Sequence, residues 1–152
     1  MLGEGWLGTF AGSGLETRGE MSAVTVTVPA RPDFIHVLRS VVAAVAARAE
    51  FTFDAIDDLR LAVDEAGAQL LSYASPASTL SLSVTINDDG SGVEVLVSTD
   101  ADVASGQWPP AGAERTLTWQ VLSALADEAR FERLDAGPAL RLRKRKAVAA
   151  TG

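Results

Sequence analysis

The amino-acid sequence predicts an α/β (α+β) two-layer sandwich, with a mostly antiparallel sheet and helices on one face. Some short runs alternate apolar residues with Ser and Thr, whereas other segments repeat apolar residues every three or four positions. Along the chain these patterns follow the order β-α-α-β-β-α-β-β, which favours hairpins over parallel crossovers. With 152 residues, 47% of them apolar, we expect one domain with a substantial core.

A strand and a helix open the predicted order. The strand, residues 24–28, alternates valine with threonine and ends at Pro29. The helix has Pro32 in its first turn, where the missing N–H costs little. Its apolar residues recur at helical spacing: Phe34, Leu38, Val41 and Val45.

The second helix, residues 54–74, reads DAIDDLRLAVDEAGAQLLSYA. At about 100° per residue, one narrow face carries its apolar stripe. That stripe comprises Leu59, Val63, Ala66, Leu70 and Tyr73. Glu65 and Gln69 lie one turn apart along its border, and Asp54 is expected to be the N-cap, with Asp57 at N3. An acid and an amide beside a buried stripe can line a pocket.

The second half reads as a hairpin, a loop, a helix and two strands. Residues 80–86 and 93–97 alternate around the turn NDDGSG, and residues 101–113 form a loop containing Trp108. Thr116 is expected to cap a helix that runs through Leu117, Val121 and Leu125 to Glu128. Residues 130–134 and 139–145 are the last predicted strands.

Composition excludes several classes of protein. The chain has no cysteine and one histidine, His36, which excludes thiolate metal sites and multi-histidine sites. Its net charge of −7 argues against direct binding to nucleic acid or to acidic membranes. The longest apolar run, residues 41–47, is too short to span a bilayer. A soluble cytoplasmic protein is the expectation.

The two ends differ from the body of the chain. Residues 1–20 are rich in glycine and lack periodicity, and the other methionine, Met21, directly precedes the first predicted strand. We therefore expect residues 1–20 to be a disordered extension or a start-site artefact. Residues 21–146 form the predicted domain, and residues 147–152 a flexible tail.

Three segments in the same order resemble the anti-sigma factor and serine-protein kinase family of the GHKL (Bergerat) ATPase superfamily, on its anti-sigma-F branch. They read VTVPARPDFIHVLR, FTFDAIDDLRLAVDEAGAQLL and VLSALADEARF. The resemblance covers the chain from Ala23 to about Arg145. It implies a Bergerat-type fold, a homodimer, capture of a sigma factor away from RNA polymerase, and release by an anti-anti-sigma (STAS-type) protein. Active members also phosphorylate a serine of that antagonist, using ATP and magnesium.

The nucleotide-binding elements of this family are altered here. Glu65 stands where the family has its catalytic base, but Gln69 replaces the asparagine that holds magnesium. Gln carries its amide oxygen one methylene further out, whereas Mg²⁺ demands near-octahedral ligands at about 2.1 Å. We interpret Glu65 as a vestigial base that pairs with Arg60 or Arg115, or as an ordinary surface carboxylate.

The two other elements have changed as well. The family's Asp-x-Gly, which binds adenine, corresponds to Thr99 or, with a gap, to Asp100, and Ala101 replaces the glycine. The glycine-rich lid that cradles phosphate is replaced by larger side chains. These are Arg115, Thr116, Leu117 and Thr118. The ATP site is therefore predicted to be degenerate, and its residues are Gln69, Thr99, Asp100 and Thr116. We expect the chain to bind no cofactor and no metal. If the chain is instead a kinase, it is expected to bind ATP and magnesium.

Arg39 matches a family arginine that contacts the sigma factor, and its guanidinium suits bidentate capture of a carboxylate. An ordinary helix-surface arginine is the other interpretation. The basic run RLRKRK favours a last strand with one wet face, whose charges discourage edge-to-edge pairing, over a nucleic-acid patch.

Together these features predict an anti-sigma factor that sequesters a sigma-F-type sigma factor until an antagonist competes. Two alternatives remain: a working ATP-dependent serine-protein kinase, and a plain α/β interaction domain.

Overall fold

The elements follow the predicted order in the computed structural model, which describes residues 22–147. The predicted extension at residues 1–20, and the predicted tail from residue 148 onward, lie outside the described residues. The elements are β1 (Ser22–Pro29), α1 (Ile35–Arg48), α2 (Phe53–Leu71), β2 (Thr79–Ile86), β3 (Gly92–Thr99), α3 (Leu117–Leu125), β4 (Glu128–Arg133) and β5 (Pro138–Arg145).

The five strands form one sheet in the order β1-β2-β3-β5-β4, and every neighbouring pair is antiparallel. Val84, Val95 and Leu142 occupy the same level on three adjacent strands, and all three side chains are fully buried. Leu38 of α1 and Leu59 of α2 join this core. The predicted α/β two-layer sandwich is confirmed.

Four residues of the predicted stripe of α2 are confirmed, because Leu59, Val63, Ala66 and Leu70 are fully buried. The predicted end of the helix is wrong: α2 ends at Leu71, so Tyr73 lies in the turn after it and is half-buried. The predicted N-cap is wrong. Thr52 is the cap: its backbone is extended and its Oγ1 accepts a hydrogen bond from the Ala55 N–H at 3.2 Å. Asp54 already lies within the first turn, where the positive end of the helix dipole stabilises its carboxylate.

The first and third helices also depart from prediction. In α1 the buried positions are Leu38, Val42 and Ala46. Two of them are therefore shifted by one residue from the predicted Val41 and Val45. Thr116 caps α3 as predicted, with its Oγ1 accepting from the Trp119 N–H at 3.1 Å. However, α3 ends at Leu125, and Glu128 begins β4.

The basic run forms β5, with Leu140 and Leu142 buried as predicted. The edge interpretation is wrong, because β5 lies between β3 and β4. Arg141 donates hydrogen bonds to Glu94 of β3 and, at 2.8 Å, to Glu132 of β4. The bond to Arg141 holds the pKa of the Glu132 carboxyl below its ordinary value. Arg141 of β5 therefore joins three strands across the solvent face of the sheet.

Among residues 22–147, the helices are all too short or too polar to cross a lipid bilayer.

Gly137, in the turn between β4 and β5, gives a test of this packing. Its φ is +153°, and a Cβ placed there would lie 2.4 Å from the Thr99 carbonyl oxygen. We expect Gly137→Ala to lower the free energy of unfolding by about 2 kcal/mol or more, because strain and overlap add. Gly106→Ala is the control, since a Cβ there meets no atom within 4 Å. Urea denaturation of the two variants measures the difference; equal midpoints would contradict the close approach.

Candidate functional site

Glu65 and Gln69 converge on one hydroxyl group. The buried stripe fixes the rotation of α2, so the residues on its border face α3. The cap at Thr116 places Thr118 in the first turn of α3. Thr118 Oγ1 lies 2.8 Å from Glu65 Oε2 and 3.0 Å from Gln69 Oε1, and the threonine is 9% exposed.

The Thr118 hydroxyl has a single proton for these two acceptors. The Glu65 and Gln69 oxygens share this proton in a three-centre hydrogen bond. Rotating the Gln69 carboxamide by 180° would instead allow its NH₂ group to donate to Thr118, while the hydroxyl proton goes to Glu65. In either arrangement the base candidate and the amide are held by α3.

The predicted arginine partners of Glu65 are wrong. Arg60 Nη1 lies 3.6 Å from Asp57 Oδ1, three residues earlier on the outer side of α2. The Arg115 guanidinium lies beside Gly112. Thr118, which the sequence presented as one of several residues replacing a glycine-rich lid, is the partner instead. The sequence did contain a signal for this role, because Thr118 lies in the first turn of a helix that Thr116 is predicted to cap.

The end of β3 is bonded to its neighbouring strand. Thr99 is 2% exposed, and its Oγ1 donates to the Thr79 carbonyl at 2.8 Å. Asp100 Oδ1 accepts from the Thr79 N–H at 2.7 Å. Ala101 is buried, and its carbonyl faces the Gly137 turn. Both candidate adenine contacts therefore serve to terminate the sheet, and neither is hydrogen-bonded to Glu65 or Gln69.

The loop after β3 is anchored by an aromatic cluster. Trp108 is 1% exposed, and its indole N–H donates to the Glu132 carbonyl at 2.8 Å. Its ring centroid lies 5.2 Å from those of Tyr73 and Phe131. Trp119 of α3 stacks on Phe131 at 5.9 Å. Side chains from the turn after α2, from α3, from β4 and from the loop thus pack together.

Arg39 lies on the other side of α2. Its Nη1 donates to Asp64 Oδ2 at 3.0 Å, and the two side chains are 40% and 32% exposed. This bond uses one of the five N–H donors of the guanidinium. Arg39 therefore meets α2 at the residue next to Glu65. Within residues 22–147, no three His, Asp or Glu side chains gather closely enough to hold a metal ion.

The antiparallel sheet, its one-sided helices and the acid and amide one turn apart on α2 are features of histidine kinase-like ATPase domains. The model of that family matches residues 28–144, and the chain belongs to it. The predicted place of the chain in the anti-sigma factor branch of the GHKL superfamily is likewise confirmed by its similarity to known members.

The similar proteins all carry the name RsbW. The chain is 38% identical over 125 residues to the anti-sigma-F factor RsbW of Mycobacterium tuberculosis, in strains H37Rv and CDC 1551; the match spans 80% of this chain and 70% of the relative. It is 33% identical over 75 residues to the serine-protein kinase RsbW of Halalkalibacterium halodurans, spanning 49% of this chain and 45% of that one. The serine-protein kinase RsbW of Bacillus subtilis is 35% identical over 51 residues, or 34% and 32% of the two chains.

Thr118→Val tests the bridge between α2 and α3. Valine keeps the shape but removes the hydroxyl, leaving two polar groups without their partner. We expect the free energy of unfolding to fall by about 1–2 kcal/mol. Thr118→Ser, which keeps the hydroxyl, should retain most of the stability. If the two variants unfold at the same urea concentration, the bridge contributes nothing.

Proposed function

We propose that this protein is an anti-sigma factor that sequesters a sigma-F-type sigma factor and releases it when an anti-anti-sigma protein of the STAS type competes. The observation that carries the proposal is the 38% identity, over 80% of the chain, to a protein named as an anti-sigma-F factor. Capture and release need two overlapping interfaces of comparable affinity and no chemistry. Because sigma factors act in the cytoplasm, the proposal also assigns the protein to that compartment.

We propose further that capture needs no nucleotide. The residues at all three altered elements are engaged within the protein. Glu65 and Gln69 bind Thr118, and Thr99 and Asp100 bind Thr79. The longer Gln69 side chain is also a poor substitute for a magnesium ligand of fixed geometry. These residues do not fit a magnesium nucleotide, so the proposal includes no phosphoryl transfer.

A homodimer is part of the proposal. Among the described residues, β1 is an edge strand of the sheet, and its sequence, SAVTVTVP, carries no charge. Edge strands usually carry lysines, bulges or early prolines that block pairing with another chain. An uncharged edge of eight residues supports antiparallel pairing with β1 of a second copy.

Calorimetric titration with Mg–ATP distinguishes this proposal from an active serine-protein kinase, which two of the relatives' names suggest. We expect no binding at micromolar concentrations, because the side chains described above are already paired. Titration of Gln69→Asn, which restores the family's residue, shows whether that position alone is responsible. Micromolar binding by the unaltered protein would reject nucleotide-independent capture.

Arg39→Glu tests the proposed contact with the sigma factor. The sigma factor that co-elutes with the protein from its own cells is purified, and its affinity for each variant is measured. We expect Arg39→Glu to weaken binding about tenfold or more, since a charge pair becomes a repulsion. Arg60→Glu is the matched control, because Arg60 is similarly exposed but pairs with Asp57. Equal affinities for the two variants would contradict the role of Arg39.

A further inference from the structure

The third helix leaves part of its apolar surface uncovered. Leu117, Val121 and Leu125, spaced four residues apart, lie along one side of it. The buried residues of α3 are Thr118 and Leu122, whereas Leu117 is 73% exposed and Val121 and Leu125 are half-buried. The bond from Thr118 to Glu65 turns the other side of the helix inward. The side of α3 that carries Leu117 and Val121 is therefore covered only in part within the described residues.

Helix α2 extends this apolar face into a groove. Leu61 is 54% exposed. The α2–α3 groove has a volume of about 530 Å³. Its lining comprises Leu61, Asp64, Glu65, Ala68, Val121, Ala124 and Leu125. Ala68 and Ala124 are small, so the groove has room for large apolar side chains from another segment. A concave lining of this composition suits the apolar face of an amphipathic helix.

The polar residues of the α2–α3 groove are both carboxylates, Asp64 and Glu65. The net charge of the whole chain is −7. An incoming segment with positive charge beside its apolar residues is therefore favoured both at the groove and during approach. Asp64 is also the residue to which Arg39 is bonded, so the groove is continuous with the proposed sigma-binding position.

We propose that the α2–α3 groove binds an amphipathic helix of the sigma factor, with a leucine-type apolar stripe and a lysine- or arginine-rich flank. This inference rests on the proposed function and names the surface and the segment. A DNA-binding partner carries basic helices for phosphate contact, so covering one would also withdraw it from DNA. The side of α3 from Leu117 to Leu125 spans about 12 Å, enough to face two turns of such a helix.

Leu61→Arg tests the groove, and Phe53→Arg is its matched control. Phe53 lies on the same helix, is 87% exposed and is not part of the groove lining. We expect Leu61→Arg to weaken binding of the purified sigma factor about tenfold or more, and Phe53→Arg to change it less than about twofold. Ala124→Arg, at an exposed position of the groove lining on α3, should act like Leu61→Arg. Circular dichroism confirms that each variant is folded.

A peptide probe separates this inference from the proposed function. Two helical peptides of about 18 residues share one leucine stripe, and carry lysines or glutamates on the flank. We expect the lysine peptide to bind the unaltered protein and Phe53→Arg more tightly than it binds Leu61→Arg, and the glutamate peptide to bind weakly. Fluorescence anisotropy of labelled peptides measures this.

Each outcome has one meaning. If the protein captures its sigma factor and Leu61→Arg captures it equally well, the groove inference is wrong while the proposed function stands. If no sigma factor is captured but the lysine peptide binds through Leu61, the groove is a binding site and the proposed function is wrong. If Leu61→Arg instead converts an oligomer to a smaller species, the groove is a contact between copies and the inference is rejected.

Discussion

The packing of α2 against the sheet governs the arrangement of every functional candidate on the helical side. Four residues of its stripe are fully buried, which leaves the helix no freedom to rotate about its axis. With that rotation fixed, Asp64 faces α1, Glu65 and Gln69 face α3, and Leu61 is left at the surface. A rotation of one residue would bury a carboxylate, and the cost of doing so enforces the observed orientation.

From that constraint the contacts follow on both sides of the helix. Toward α1, Asp64 receives Arg39; toward α3, the Glu65 carboxylate receives Thr118. The second contact lies on the buried side of α3, so Leu117 stays exposed and Val121 is only half-buried. The polar contact between α2 and α3 and the apolar groove are thus two sides of one arrangement. The contacts that hold the helices together therefore also determine which of their side chains are exposed.

The sequence predicts secondary structure correctly where the prediction depends on a local pattern of residues. Alternation identified the strands, because residues two apart share a face, and the long stripe identified α2 with its correct inward residues. Local patterns failed where tertiary contacts decide. Both Thr52 and Asp54 are good capping residues, so composition alone could not choose between them. In α3, apolar residues lie on more than one side of a nine-residue helix, and the buried side is the one where Thr118 bonds to Glu65.

The partners of charged residues were the least predictable part. Strand order is not encoded in alternation, so the position of β5 between β3 and β4, and hence the role of Arg141 between two glutamates, could not be read from the run of basic residues. For the same reason Glu65 was expected to meet an arginine and meets a hydroxyl. The burial of Trp108 has a practical consequence of a different kind. Its indole is enclosed by aromatic rings and bonded to the backbone of β4. In a variant whose other two tryptophans, Trp6 and Trp119, are replaced by phenylalanine, a shift of tryptophan fluorescence to longer wavelength will therefore report when the long loop leaves the body of the protein.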